Sequence, residues 1–165
     1  MLETPHVVVG AAIASKIPNP LISIPLALAS HFVLDKVPHW NPHLNTELKK
    51  FGKVTDQSKL IVVIDVIFAL ASGLYITSLA GPNVNHQYVV LTASFTAVLP
   101  DVIEAPHFFL SPKMKNKFIK TGSLQASLVN RWIAFQKSIQ NDTSPILGLG
   151  IQIATMAAAF VWIFN

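Results

Sequence analysis

The sequence predicts an all-α fold, a polytopic membrane bundle of about five helices, and three observations predict it. Apolar residues make up 52% of the 165 positions and charged residues only 12%, about half the usual share in a soluble domain, and the mean hydropathy is +0.50. Long apolar runs are separated by short segments rich in Pro, Asn and Gly. The basic residues, finally, are not dispersed. Lys36, Lys49, Lys50, Lys53 and Lys59 form one group, Lys113, Lys115, Lys117, Lys120, Arg131 and Lys137 form another, and only Lys16 lies outside both.

Such a composition excludes a disordered chain. The net charge of +4 would suit nucleic acid if it formed one basic face. Basic groups confined to two segments between apolar runs instead follow the rule that Lys and Arg accumulate on the cytoplasmic side of a membrane, so no nucleic-acid partner is expected. With no cysteine, disulfides, thiolate zinc sites and cysteine nucleophiles are excluded. The opening Met-Leu-Glu-Thr-Pro-His lacks the basic stretch of a secretory signal and is expected to stay on the protein.

A single membrane domain over residues 1–165 is expected, beginning with a helical hairpin at 6–39. Its first run, residues 7–17, meets Pro18-Asn19-Pro20, which breaks a helix because proline lacks the amide donor and restricts the residue before it. About eleven residues rise roughly 16 Å, short of a hydrocarbon core of about 30 Å, so the hairpin either re-enters on one side or sits where the bilayer thins. The second run, Leu21 to Val37, carries Pro25 near its start, and Pro38 stands in its last turn. A basic loop at 40–59 follows. A second hairpin at 60–110 holds the run Leu60 to Ala80, of full spanning length, a Gly81-Pro82-Asn83 turn, and a run from Tyr88 to Leu99 reaching Pro100-Asp101. A basic amphipathic segment at 111–144 places Phe118, Leu124, Leu128, Trp132 and Phe135 at the spacing of a surface helix. A C-terminal helix at 147–164 ends near Trp162, a residue suited to the membrane interface. Counting five crossings with both basic segments in the cytoplasm puts the N-terminus inside and the C-terminus outside.

The two hairpins read as half-repeats. Each starts with a polar ligand type, His6 or Asp65, turns on Pro and Asn, and ends on an acid followed by Pro-His: Asp35 then Pro38-His39, and Asp101 then Pro106-His107. His31, Asp35 and His39 recur every four residues, so a continuous helix would present all three on one face. Asp101, Glu104 and His107 recur every three. Imidazoles and carboxylates can converge on one cation, and without thiolates the suitable metals are zinc first, then manganese, iron or magnesium. The competing reading is polar helix ends, solvated or capping.

Asp65 lies inside Leu-Ile-Val-Val-Ile-Asp-Val-Ile-Phe-Ala-Leu. A carboxylate there is costly unless it faces the bundle and finds a partner. With alternating helix directions, His6, Asp35, His39, Asp65, Asp101 and His107 fall toward the cytoplasmic end, and His31 and Asp65 lie about one turn deeper. That convergence suffices for one or two metal ions and argues more strongly than any single spacing. His43 and His86 fall outside the pattern and are expected to be solvated. Gln152 could bind a substrate or join helices.

His6 with Gly10, the Pro-Asn-Pro turn, Ser-His-Phe-Val-Leu-Asp-Lys-Val-Pro-His-Trp and Ala-Val-Leu-Pro-Asp-Val-Ile-Glu-Ala-Pro-His together resemble the bacterial and archaeal membrane-bound metal-dependent hydrolases of the YdjM-like group. That family is distantly similar to zinc-dependent phospholipase C. The resemblance covers roughly residues 4–110 and implies a ligand at His6, an acid at Asp35, and a Leu-Pro-Asp element at Leu99, Pro100 and Asp101. Leu34-Asp35 departs from the Leu-Pro-Asp expected there, and the last two segments have no counterpart.

The expected function is a metal-dependent hydrolase in the cytoplasmic (inner) membrane. His6, His31, Asp35, His39, Asp65, Asp101 and His107 would be ligands or their supports. Glu104 and Asp65 are the candidate catalytic carboxylates, Glu104 as general base, with a membrane lipid or phosphodiester as substrate. An ion- or proton-coupled transporter, or a metal-binding protein without hydrolytic activity, is the alternative.

Overall fold

A computed structural model describes residues 1–110 and 123–165. Lys113, Lys115, Lys117, Lys120 and Phe118 of the basic amphipathic segment lie outside the described residues. The fold is all-α. Seven helices are described: α1 Glu3–Lys16, α2 Pro20–Lys36, α3 Leu44–Phe51, α4 Asp56–Leu79, α5 Val84–Phe109, α6 Leu124–Ile139 and α7 Pro145–Phe164. There is no strand among the described residues, only an isolated bridge between His39 and Asp142.

Three of these helices, α4, α5 and α7, are long and apolar enough to cross a membrane. The two helices of the first hairpin are shorter, with 14 residues in α1 and 17 in α2. Much of the apolar surface stays uncovered: Leu21 is 85% exposed, Phe68 61% and Ile146 90%. Such exposure would be an aggregation hazard in water and suits a hydrocarbon surround.

The short α1 is the centre of the bundle. It packs against α2, α4, α5 and α7, and Val8, Ala11, Ala12 and Ala14 are wholly buried. Small side chains explain why it fits. A Cβ placed on Gly10 would stand 2.6 Å from the Ala97 Cβ and 2.9 Å from the Ala93 carbonyl oxygen, so the α1 and α5 backbones touch only because Gly10 has no side chain. This is the small-residue packing on which helices in lipid rely, where no hydrophobic gain draws them together.

The helix boundaries follow local chemistry. Asn19 accepts a hydrogen bond from the Leu21 amide at 3.0 Å and Pro20 occupies the first turn of α2. Pro38 holds Val37 extended and stops α2 at Lys36. Asn83 caps α5 through the His86 amide at 3.2 Å.

Some expected boundaries are corrected. α4 begins at Asp56 rather than Leu60 because Thr55 caps it, accepting from the Ser58 amide at 3.3 Å. Asp65 is therefore about two and a half turns into its helix. α5 runs through Pro100 and Pro106 to Phe109, so Asp101 is interior to the helix rather than at its end. The basic loop contains α3, whose Glu47 accepts from the Thr55 amide at 2.8 Å and the Ser58 hydroxyl at 2.6 Å, tying the loop to the start of α4. In α6 the expected stripe is not the buried face: Leu124 and Leu128 are 76% and 56% exposed while Ile133 and Gln136 are buried. Its ring contacts are Trp132 and Phe135 against Phe32 of α2.

Candidate metal centre

His6, His31 and Asp101 offer ligand atoms that all lie within 4.8 Å of one another, although 25 residues separate the first pair and 70 the second. Three packings create this. α1 delivers His6 from its first turn and α2 delivers His31 and Asp35 one turn apart. α5, held against α1 by Gly10, delivers Asp101.

Asp35 sits at the centre. Its Oδ1 is 3.3 Å from His6 Nε2 and forms an ion pair with the Met1 amine; its Oδ2 is 3.3 Å from His31 Nε2. His31 Nε2 is also 3.8 Å from Asp101 Oδ1. The side chains of His6, His31 and Asp35 have no exposed surface, and Asp101 has 20%. His6 and His31 stack with ring centroids 4.2 Å apart.

These residues fit a divalent cation. Both nitrogens of His6 and Asp35 Oδ2 are buried without a hydrogen-bond partner, a costly condition for a native interior. Separations of 3.3 Å are long for an N–H···O bond, yet they match the spacing between ligand atoms that stand about 2.0–2.2 Å from a tetrahedral ion. The ring of His31 is also set for the purpose. Its Nδ1 lies 2.8 Å from the Ala97 carbonyl oxygen. A carbonyl can only accept, so Nδ1 carries the proton and Nε2 turns its lone pair inward, the arrangement typical of ligating histidines. Charge agrees, because Glu3 and Asp101 join Asp35 within electrostatic range of a single ammonium, that of Met1, Glu104 adds a further carboxyl within range of Asp35 and Asp101, and a bound cation would offset the excess.

The other expected residues have separate places. Asp65 stands apart from the converging group: its carboxylate accepts from the Glu3 amide at 2.5 Å, the Thr4 amide at 3.2 Å and the Thr4 hydroxyl at 2.6 Å. It thus caps the N-terminus of α1 from a neighbouring helix, satisfying amides that α1 cannot satisfy itself. His39 is not on the α2 face, since Pro38 has already ended that helix. It is held in a loop by main-chain bonds to Asn141 and Thr143 at 3.0 and 2.9 Å. Its Nδ1 lies 2.8 Å from the Val37 carbonyl oxygen, leaving a buried Nε2 without a hydrogen-bond partner, and burial pushes its pKa below the ordinary imidazole value. Glu104 is buried and one turn beyond Asp101 on α5. His107 is half-buried in the last turn of α5, edge-on to Phe108 and outside the converging group. His86 is not simply solvated, because its Nε2 lies 3.0 Å from the Ala14 carbonyl oxygen. His43 is half-exposed, 3.8 Å from Asp142.

Three groups at the site escaped the sequence reading. Glu3 and the Met1 amine precede the first apolar run, and Gln136, whose Nε2 is 3.3 Å from His31 Nε2, directly follows Trp132-Ile133-Ala134-Phe135 in α6. The burial of Gln136 beside Ile133, on the one buried stripe of α6, marks it out. Gln152 joins helices: it accepts from the Leu2 amide and donates to the Trp40 carbonyl, each at 2.9 Å.

A cavity of about 540 Å³ opens beside the cluster, with Glu3, Asp65, Asp101 and Glu104 among its lining residues at that end. No protein-family model, curated protein or solved structure matches this chain.

Proposed function

We propose that the protein is a membrane-bound metal-dependent hydrolase acting at the cytoplasmic face of the inner membrane on a lipid phosphodiester or ester. One observation carries this reading: His6, His31 and Asp101 bring ligand atoms within 4.8 Å of one another, Asp35 stands 3.3 Å from both imidazoles, and both nitrogens of His6 and the Oδ2 of Asp35 are buried without a hydrogen-bond partner. Their resemblance to the YdjM-like hydrolases, and through them to zinc-dependent phospholipase C, supports the same class.

Under this reading His6, His31, Asp35 and Asp101 hold the cation, zinc fitting the donor set best. Bound there, it supplies Lewis-acid polarisation of a phosphoryl or carbonyl oxygen and of the attacking water. The chain's own groups do the rest. The Ala97 carbonyl fixes the His31 tautomer, and Asp65 keeps α1, and with it His6, in register. Glu104 lines the cavity beside Asp101, placed to take a proton from water as general base. Lys137 at the rim suits an anionic head group. The basic residues of the α2–α4 connection support a cytoplasmic position for this end of the bundle.

The test is elemental analysis of detergent-purified protein from zinc-supplemented buffer, followed by phospholipid hydrolysis with and without chelator. About one metal ion per chain is expected, lost in Asp101→Ala, together with chelator-sensitive hydrolysis. An intact wild type that carries no metal overturns the reading.

A further inference from the structure

We infer that the cleft between α4 and α5 is a slot for one acyl chain of a membrane lipid whose head group is held at the metal centre. The inference rests on the hydrolase reading for the head group, and on the cleft itself for the chain.

α4 presents Val62, Val66, Leu70 and Leu74 to the cavity, and α5 presents Leu91, Phe95, Val98 and Val102. Each set recurs every three or four residues and so forms a single stripe along its helix. The stripes stay apart because α1 is wedged behind them, with Val7 on the floor of the cleft. Small residues keep the floor open: Ala69 and Gly73 on α4, and Ser94 on α5. A Cβ on Gly73 would stand 3.1 Å from the Val7 side chain. The one hydroxyl here is already used, since Ser94 donates to the Val90 carbonyl at 2.8 Å. Nothing polar in this part of the cleft asks for a partner, which is what a hydrocarbon occupant needs.

Size selects the occupant. Ten residues separate Leu91 from Asp101, so the slot runs about 15 Å from the acids to its far end. That is half of the ~30 Å hydrocarbon core, the depth of one leaflet. A helix about 10 Å across would fill roughly 1,200 Å³ over that length, and the cavity holds about 540 Å³. A partner helix would have to lie largely outside the cavity, while a single chain fits within it. The side wall is open: Leu70 is 63% exposed, Leu74 61% and Phe95 56%, so a lipid can enter sideways without leaving the bilayer. At the mouth, four carboxylates would repel a phosphate unless a cation lies between them, which ties slot and metal centre to one substrate.

The test uses the full chain reconstituted with zinc in phosphatidylethanolamine vesicles containing phosphatidylglycerol with a diazirine at the end of one acyl chain. After illumination, adducts are mapped by mass spectrometry. Leu74 and Leu91 should be labelled about tenfold more than Tyr75, a ratio equivalent to about 1.4 kcal/mol of preference. Tyr75 is equally deep and 52% exposed but does not line the slot. Leu74→Trp fills the far end from an exposed position that leaves the core intact, and should abolish the enrichment at Leu91. Equal labelling of Leu74 and Tyr75, or cross-links from Leu74 to a second copy in place of lipid, overturns the slot. Bound zinc without enrichment refutes the slot and leaves the metal centre; enrichment without bound zinc upholds the slot and refutes the hydrolase.

Discussion

The Nδ1 of His31 donates to the main-chain carbonyl of Ala97, 2.8 Å away, and this bond joins the packing of the bundle to the chemistry of its site. Ala97 is where α5 touches Gly10 of α1. The contact that seats α1 at the centre of the protein is thus also the one that aims the His31 Nε2 at Asp35 and Asp101.

Gly10→Val should test that link. The added side chain has no room against Ala93 and Ala97, and overpacking of this kind costs about 1–3 kcal/mol. A lower thermal midpoint in detergent is expected together with weaker zinc binding, because any shift of Ala97 moves the acceptor that orients His31. Thermal unfolding and zinc titration check both effects.

Asp65→Ala should separate the capping role from a ligand role. It removes the acceptor for the Glu3 and Thr4 amides and the Thr4 hydroxyl, and hydrogen bonds to a charged group contribute about 1.5–3 kcal/mol each. Stability should fall by at least one such bond. Variant that remains folded should keep its metal stoichiometry; loss of the metal from folded protein would restore Asp65 to the ligand set.

His6→Ala and His31→Ala should each release the metal while keeping the helical circular dichroism of the wild type. His43→Ala should not, since that side chain is half-exposed and apart from the converging atoms. Elemental analysis of the three variants in parallel distinguishes a specific site from general imidazole binding.

The link between α3 and α4 should depend on pH. Slight desolvation raises the Glu47 pKa, but hydrogen bonds from Ser58 and Thr55 outweigh it and hold the carboxyl below its ordinary value. A group depressed in the folded state stabilises it fully above the unfolded pKa, near 4.3, and loses that contribution as pH falls through the folded value. Amide hydrogen exchange at the first turn of α4 should therefore lose protection below about pH 4.3 in the wild type. Glu47→Gln should flatten that dependence.

Much of this was legible in the chain. Apolar runs and proline-rich breaks announced an all-α bundle because helix length and helix termination are local properties. His6, His31, Asp35 and Asp101 could be singled out because acids and imidazoles are rare in apolar runs. Local pattern left other points open: four-residue spacing would put His39 on the α2 face only if the helix continued, and Pro38 ends it, while the rarity of a carboxylate within α4 marked Asp65 without revealing that it caps α1.

The sequence by itself determined that the chain would be an all-α bundle and which polar groups would have to be compensated inside it. Tertiary structure alone decided what compensates each one. Whether a buried carboxylate meets an amide or an imidazole depends on which helix end packs beside it, and here that is governed by the fit of the small residues of α1 against α5. Such a fit is a matter of ångströms between segments about eighty residues apart, and no local pattern records it.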